Sequence, residues 1–284
     1  MCTNYTPTKK ADWVKATFGV DLPNGYPDEA YPNCLGPVVM KSHQTERVAC
    51  GLARFGLIPA WAKDDKISRH TYNARSETVA EKPSYRTAWR KRQFCLVLAD
   101  NFYEPNYATG KAVRWCIQPA DSNPFGIAGI WDKWTDPTSG EVVVSFSMLT
   151  ANADEHPVMR QFHKTGDEKR TPVIIQPEHY NRWLGADIPA AEEMMTWANM
   201  PTLRLHLNPE RTKGVDMKVK EILSDVQLVI AQIEVKLNGE LRTSPTLCAL
   251  IPAEGSEQEK IIPLNTPDGK PIFMNYENVI RPLQ

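Results

Sequence analysis

The chain opens "MCTNY", which sets a cysteine at position 2. Its small side chain permits removal of Met1, leaving Cys2 with a free α-amine and a thiol on one residue. Together those groups are a reagent for aldehydes: the amine condenses to an imine and the thiol closes on it as a five-membered thiazolidine. An N-terminal amine titrates at about 7.7 to 8.0, against about 10.4 for lysine, so an appreciable fraction of it is neutral near pH 7. A cysteine after a start codon is also commonly an incidental thiol, so position 2 alone fixes no chemistry.

Four further stretches carry chemical possibilities. "YNARSET" (72–78) gathers Asn73, Arg75 and neighbouring hydroxyl and carboxylate groups after the aromatic turn "FGLIPAWAKDD" (55–65), which contains Trp61. Polar groups converging beside an apolar loop suit a ligand cleft, but taken alone the stretch reads first as a polar surface turn. "SYRTAWRKRQF" (84–94) sets Arg86, Arg90 and Arg92 around Trp89, a mixture able to grip phosphates and stack on bases, or simply a solvated helix face. "ADNFYEP" places Glu104 after an apolar strand, where partial desolvation raises a carboxyl pKa and fits it for proton transfer. "LTANADEHPVMRQFHK" delivers His156 and His163, both able to titrate near neutrality, and their spacing does not choose between them.

These groups must be carried by strands. Runs rich in β-branched and aromatic residues recur at 47–57, 93–99, 112–119, 125–134, 141–150 and 172–176, bounded by Gly, Pro, Asn or Asp. Helical patterns are confined to "KKADWVKATF", "PEHYNRWL" (177–184) and "AAEEMMTWAN" (190–199). The pattern predicts an α+β fold with a strand-dominated core and short flanking helices. Beyond residue 205 the character changes: Asn238-Gly239 and Asp268-Gly269 mark two hairpins in a segment, 206–284, with no chemistry of its own.

Composition bounds the function classes. With 284 residues and 42% hydrophobic content the chain builds a large core. A formal charge of -1 and a pI near 6.6 exclude a globally basic nucleic-acid binder, so any phosphate affinity is local. No apolar leader and no run near the ~18 residues of a membrane span occurs, which predicts a soluble, cytoplasmic protein with no membrane partner. Six cysteines without a CxxC pair give no zinc-ribbon or thioredoxin motif.

In their order, Met-Cys, "FGLIPAWAKD", "NARSET", "WRKRQFC", "LADNFYE", "AGIWDKW" and "LTANA" followed by "TPVII" resemble the SRAP family, SOS-response-associated peptidases that act as abasic-site-binding proteins. The resemblance covers roughly residues 2–200 and assigns 1–205 to the abasic-site-binding domain. It implies a β-rich fold with a positively charged groove for single-stranded DNA, nucleoid association when bound, and a covalent link from Cys2 to the open-chain aldehyde of an abasic deoxyribose. The link needs no cofactor or metal. By motif, Asn73, Glu104 and His163 join Cys2 as catalytic residues, with Trp61, Arg75, Arg86, Trp89, Arg90 and Arg92 toward the DNA.

Against the family pattern, Thr3 and Asn4 stand where Gly and Arg are usual, Pro105 replaces a tryptophan, and "HKTGDEKRTP" lengthens the histidine motif. The insert leaves His156 open beside His163. Two other classes fit parts of the same residues: an N-terminal-nucleophile amidohydrolase using Cys2, and a DNA-binding module in which Cys2 is incidental.

Overall fold

The structure, a computed structural model, describes residues 2–42, 44–107, 111–164, 166–207, 227–237, 240–251 and 260–263. In chain order the first elements are β1 (Tyr5–Pro7), α1 (Ala11–Phe18), β2 (Leu35–Lys41), β3 (Val48–Phe55), β4 (Asn73–Arg75), α2 (Arg86–Arg90), β5 (Phe94–Asn106), β6 (Val113–Pro119), β7 (Phe125–Thr135) and β8 (Val142–Asn152). They are followed by β9 (Arg170–Pro172), β10 (Ile174–Ile175), α3 (Tyr180–Leu184), α4 (Ile188–Met194), β11 (Leu203–Leu207), β12 (Gln227–Leu237), β13 (Glu240–Ile251) and β14 (Lys260–Pro263). The expected strand-dominated α+β architecture is what the chain adopts.

A closed barrel forms the centre. From β7 the sheet runs to β8, then in parallel to β3, antiparallel to β2 and β5, and from β5 back to β7. Val97 of β5 therefore has Val38 on one side and Ile127 on the other. Closure leaves these strands no free edge.

Alternation of side chains divides the core in two. Cys95, Val97 and Ala99 of β5 face a cluster containing Cys2, Tyr5, Phe55 and Phe146, whereas Phe94, Leu96 and Leu98 face one that contains Trp89, Tyr180 and Trp183 from the helices. Strands covered on both faces must read as continuous apolar runs, which is why "FCLVLA" shows no alternation. The helices are short and end on local signals. Gly19 closes α1 in the left-handed region with its N–H donating to Lys15 O, and Asp187 caps α4 by accepting from Ala190 N.

Several boundaries differ from the sequence pattern. The strand expected over 93–99 continues as β5 to Asn106, because beyond Ala99 it leaves the barrel and pairs with β1 (Tyr5↔Phe102) and β6 (Glu104↔Trp115). There it no longer needs both faces apolar, so Asp100 and Asn101 belong to the strand. Glu104 thus sits inside a strand, not at its end. The run 172–176 divides into β9 on β8 and β10 on β7, and the helix over 190–199 stops at Met194, where Thr196 turns extended and accepts from Ala198 N.

Past β6 the sheet continues through β11 to β12, β13 and β14. Leu237↔Glu240 pairing leaves two residues to connect β12 and β13, the spacing that Asn238-Gly239 predicts, although the turn itself lies outside the described residues, as does the Asp268-Gly269 hairpin. Among the described residues no helix is long and apolar enough to cross a membrane.

Candidate functional site

The arm ahead of β1 lies inside the fold. Cys2 is wholly buried, and its thiol donates to Asn4 O at 3.4 Å. Asn4 O in turn accepts from Tyr103 N at 3.2 Å, so the arm runs on as an edge of β5. Burial pushes the Cys2 thiol well above its ordinary value, and the charge of Glu104 pushes it further. In the chain as written Cys2 follows Met1 and its nitrogen is an amide.

Asn73, first residue of β4, reaches the arm from the other side. Its Nδ2 donates to Cys2 O at 2.7 Å, while its own carbonyl accepts from the Tyr85 hydroxyl at 2.9 Å. Asn73 Oδ1 is buried and has no hydrogen-bond partner among the described residues. β4 holds this position by pairing in parallel with β8 (Asn73↔Met148). "NARSET" is therefore a short strand entering a turn, and its asparagine points at the cysteine arm.

Glu104 and His163 meet at the far end. Glu104 is 1% exposed, and burial pushes its carboxyl up to about 7. His163 Nδ1 lies 3.4 Å from Glu104 Oε2, and its Nε2 lies 3.1 Å from Arg170 O. A carbonyl only accepts, so Nε2 carries the hydrogen in that contact. The neutral ring then presents a bare Nδ1 to Glu104, and one proton between them makes the pair. Burial lowers the His163 pKa, which favours the neutral ring beside a protonated acid. His163 adopts φ 64, and its N–H donates to Pro105 O at 3.0 Å, which ties the loop to β5 one residue past the carboxylate.

His156 is used differently. Its Nδ1 accepts from Val158 N and Met159 N at 3.0 and 3.1 Å, and burial drives its pKa down to about 4. It caps a turn as a neutral ring.

Behind His163 lies a residue that the motifs did not single out. Arg170 is buried, donates to both carboxylate oxygens of Glu77 at 2.9 Å, and also reaches Glu168 at 2.7 Å. Through it the end of "NARSET", the charged insert and the histidine share one network. An arginine within a run of charged residues reads as solvated, and only the pairing of β9 with β8 brings Arg170 inward.

The groups assigned to DNA divide. Trp61 is 56% exposed, and its Nε1 donates to Pro83 O at 3.3 Å, which brings the aromatic loop beside the segment leading into α2. The loop can turn there because Gly56 takes φ 117, where a Cβ would come 2.3 Å from Ser68 O. Arg86, Arg90 and Arg92 are exposed, as is Arg75, which pairs with Glu168 at 2.6 Å. Trp89 is a correction: it is 1% exposed, packs on Phe94 at 5.1 Å between ring centres, and offers no face to a base. On α2 the arginines take the wet face and Trp89 the core face, as helical period requires.

Fold and arm together define an α+β protein built on a closed β-barrel into which the N-terminal residues pack. The chain belongs to the SOS response associated peptidase (SRAP) family, whose profile matches residues 1–213. It is similar to the abasic site processing protein YoqW of Bacillus subtilis, 33% identical over 190 residues, covering 65% of this chain and 80% of that protein. It is also similar to the abasic site processing protein HMCES of Gallus gallus, 27% identical over 264 residues, covering 81% and 74%. Among solved structures, a Bordetella bronchiseptica protein is 32% identical with a TM-score of 0.66, covering 73% of this chain and 99% of that one.

Proposed function

We propose that this chain recognises abasic sites in single-stranded DNA and, once Met1 is removed, joins them covalently through Cys2 as a thiazolidine that shields the lesion from strand cleavage. The observation that carries this is the convergence on Cys2: Asn73 fixes its carbonyl, and Glu104, its charge acting on the thiol, stands in contact with His163. The names of the relatives support the choice of lesion.

The chemistry follows from the groups present. Glu104, protonated near neutrality, donates to the ring oxygen as the C1′–O4′ bond breaks, the C1′ hydroxyl releases its proton to solvent, and the C1′ aldehyde appears. The Cys2 amine adds to that carbon, water leaves, and an imine remains. The thiol then adds to the imine carbon, its proton passing to the nitrogen directly or by way of the Glu104 carboxylate. A thiol held protonated by burial is a poor nucleophile in the intermolecular sense, but closure within one residue gains up to ~7 to 11 kcal/mol from proximity in well-aligned cases. Asn73 Oδ1, buried and unsatisfied, accepts from the new α-amine or a sugar hydroxyl in this reaction, and His163 relays the proton that Glu104 gives or takes. Exposed Trp61, Arg75, Arg86, Arg90 and Arg92 line the single-strand groove in this reading, within a 1–205 domain working on the nucleoid in the cytoplasm.

Intact mass after mixing with an abasic single strand tests it. The expected product is protein lacking Met1 plus the strand, less one water. An adduct that forms equally with an aldehyde-free reduced sugar overturns it, and turnover of small amides without any adduct points to an N-terminal-nucleophile hydrolase instead.

A further inference from the structure

Glu168 occupies a place that a phosphate would suit. Its carboxylate bridges two guanidiniums, 2.6 Å from Arg75 Nη1 and 2.7 Å from Arg170 Nη1. The two arginines differ in what else holds them. Arg170 is buried and keeps Glu77 through both terminal nitrogens, together with Thr150 O at 2.5 Å. The Arg75 side chain is 49% exposed and is ion-paired with Glu168. Guanidinium forks take carboxylates and phosphates with the same geometry. The carboxylate comes from the charged insert "KTGDEK" that separates His163 from β9.

We propose that Glu168 is a specificity-determining residue of the strand-binding face: an internal carboxylate that holds Arg75 and must be displaced by a DNA phosphate. This rests on the proposed function, in which Arg75 meets the strand. A chain that held Arg75 unopposed would bind any single strand by its backbone. With Glu168 in place, part of the Arg75 attraction is already satisfied, and ordinary single strands bind less well. The contact exchanged is the one from Oε2 to half-exposed Arg75, and an exposed ion pair is weak, about 0.2 to 1 kcal/mol, while Oε1 keeps its bond to buried Arg170. Arg170 does not move in the exchange, since Glu77 and Thr150 retain it. The Arg170 carbonyl that accepts from His163 Nε2 stays fixed as well.

Equilibrium binding of an undamaged single-stranded oligonucleotide, measured from low to moderate salt, tests the proposal in four proteins: wild type, Glu168→Gln, Arg75→Ala and the double variant. Glu168→Gln should tighten binding roughly twofold to fivefold, the fold-change equivalent of one exposed ion pair. It should also steepen the log-log salt dependence by about 0.7, the share of one phosphate on a single strand. In the Arg75→Ala background the same change should do neither. Equal gains with and without Arg75 overturn the proposal by showing a general charge effect, while the proposed function survives. Absence of strand binding in all four proteins overturns both. Glu168→Ser removes reach as well as charge and must reproduce the Arg75-dependent gain; if it does not, the mask is not Glu168.

Discussion

Glu104 and His163 stand in contact at 3.4 Å between Oε2 and Nδ1, and the hydrogen on the far side of the imidazole is committed to the Arg170 carbonyl. A single proton must therefore serve both facing atoms. Its two positions, on the acid or on the ring, are the two states that a donor and later acceptor needs. The contact is longer than a tight N–H···O bond, as acid–base pairs commonly are before substrate arrives.

Replacing that acid should separate chemistry from binding. Glu104→Gln should slow crosslinking to an abasic strand by about a hundredfold or more, the usual worth of positioned proton transfer, with strand affinity near wild type. A gel time course beside an anisotropy titration checks it. Equal loss in both would make Glu104 structural.

The same substitution should change how stability depends on pH. The Glu104 pKa rises from 4.5 to about 7 on folding, so the folded chain holds a proton that the unfolded chain releases. By linkage this contribution is present in full below pH 4.5 and is lost as pH climbs to 7. The stability of Glu104→Gln relative to wild type should consequently increase across that window and level off above it. Urea denaturation at stepped pH measures the difference, and a flat difference would show that Glu104 ionises normally.

The two histidines should fail in different ways. His156→Ala removes the acceptor for Val158 N and Met159 N and should lower stability by about 0.5 to 2 kcal/mol, the usual cost of losing a cap, while crosslinking persists in the folded fraction. His163→Ala should fold and crosslink slowly. Thermal melts and gel rates, read together, exchange the assignments if the pattern is reversed.

Two tryptophans offer the same kind of contrast. Trp61→Ala should weaken single-strand affinity by about 1 to 3 kcal/mol, the worth of one stacked base, and leave the melting temperature unchanged. Trp89→Ala should cost about 3 to 5 kcal/mol of stability through the cavity that it leaves. Binding by the Trp89→Ala protein, corrected for its folded fraction, should match wild type.

For Cys2, the amine and the thiol should be separable. Cys2→Ala should give no stable adduct but a transient imine that borohydride traps, and an uncleaved residue ahead of Cys2 should prevent both. Full adduct from the blocked protein would remove the amine from the mechanism.

How much of this the sequence discloses depends on the range over which each residue is determined. The apolar runs of β5, β7 and β8 announce themselves because both faces are covered along most of each run. β2 is harder to see, since "LGPVVMK" is short and contains proline, and its strand character comes from β3 and β5 on either side. The site residues are legible as types within motifs, but Trp89 and Arg170 show the limit. A basic-aromatic run does not say which side of its helix the tryptophan takes, and a charged insert does not say that one of its arginines is drawn inward by Glu77 and Thr150. Burial is settled by partners far along the chain.

The hydrogen bond from Asn73 to Cys2 joins residues 71 positions apart, and Glu104 and His163 lie further still along the chain. Closing such loops costs entropy that only the finished barrel offsets. A nascent or unfolded chain would therefore display only the slow aldehyde reactivity of any N-terminal cysteine. The fast, lesion-directed reaction would belong to the fold as a whole, and would be lost with it when the barrel opens.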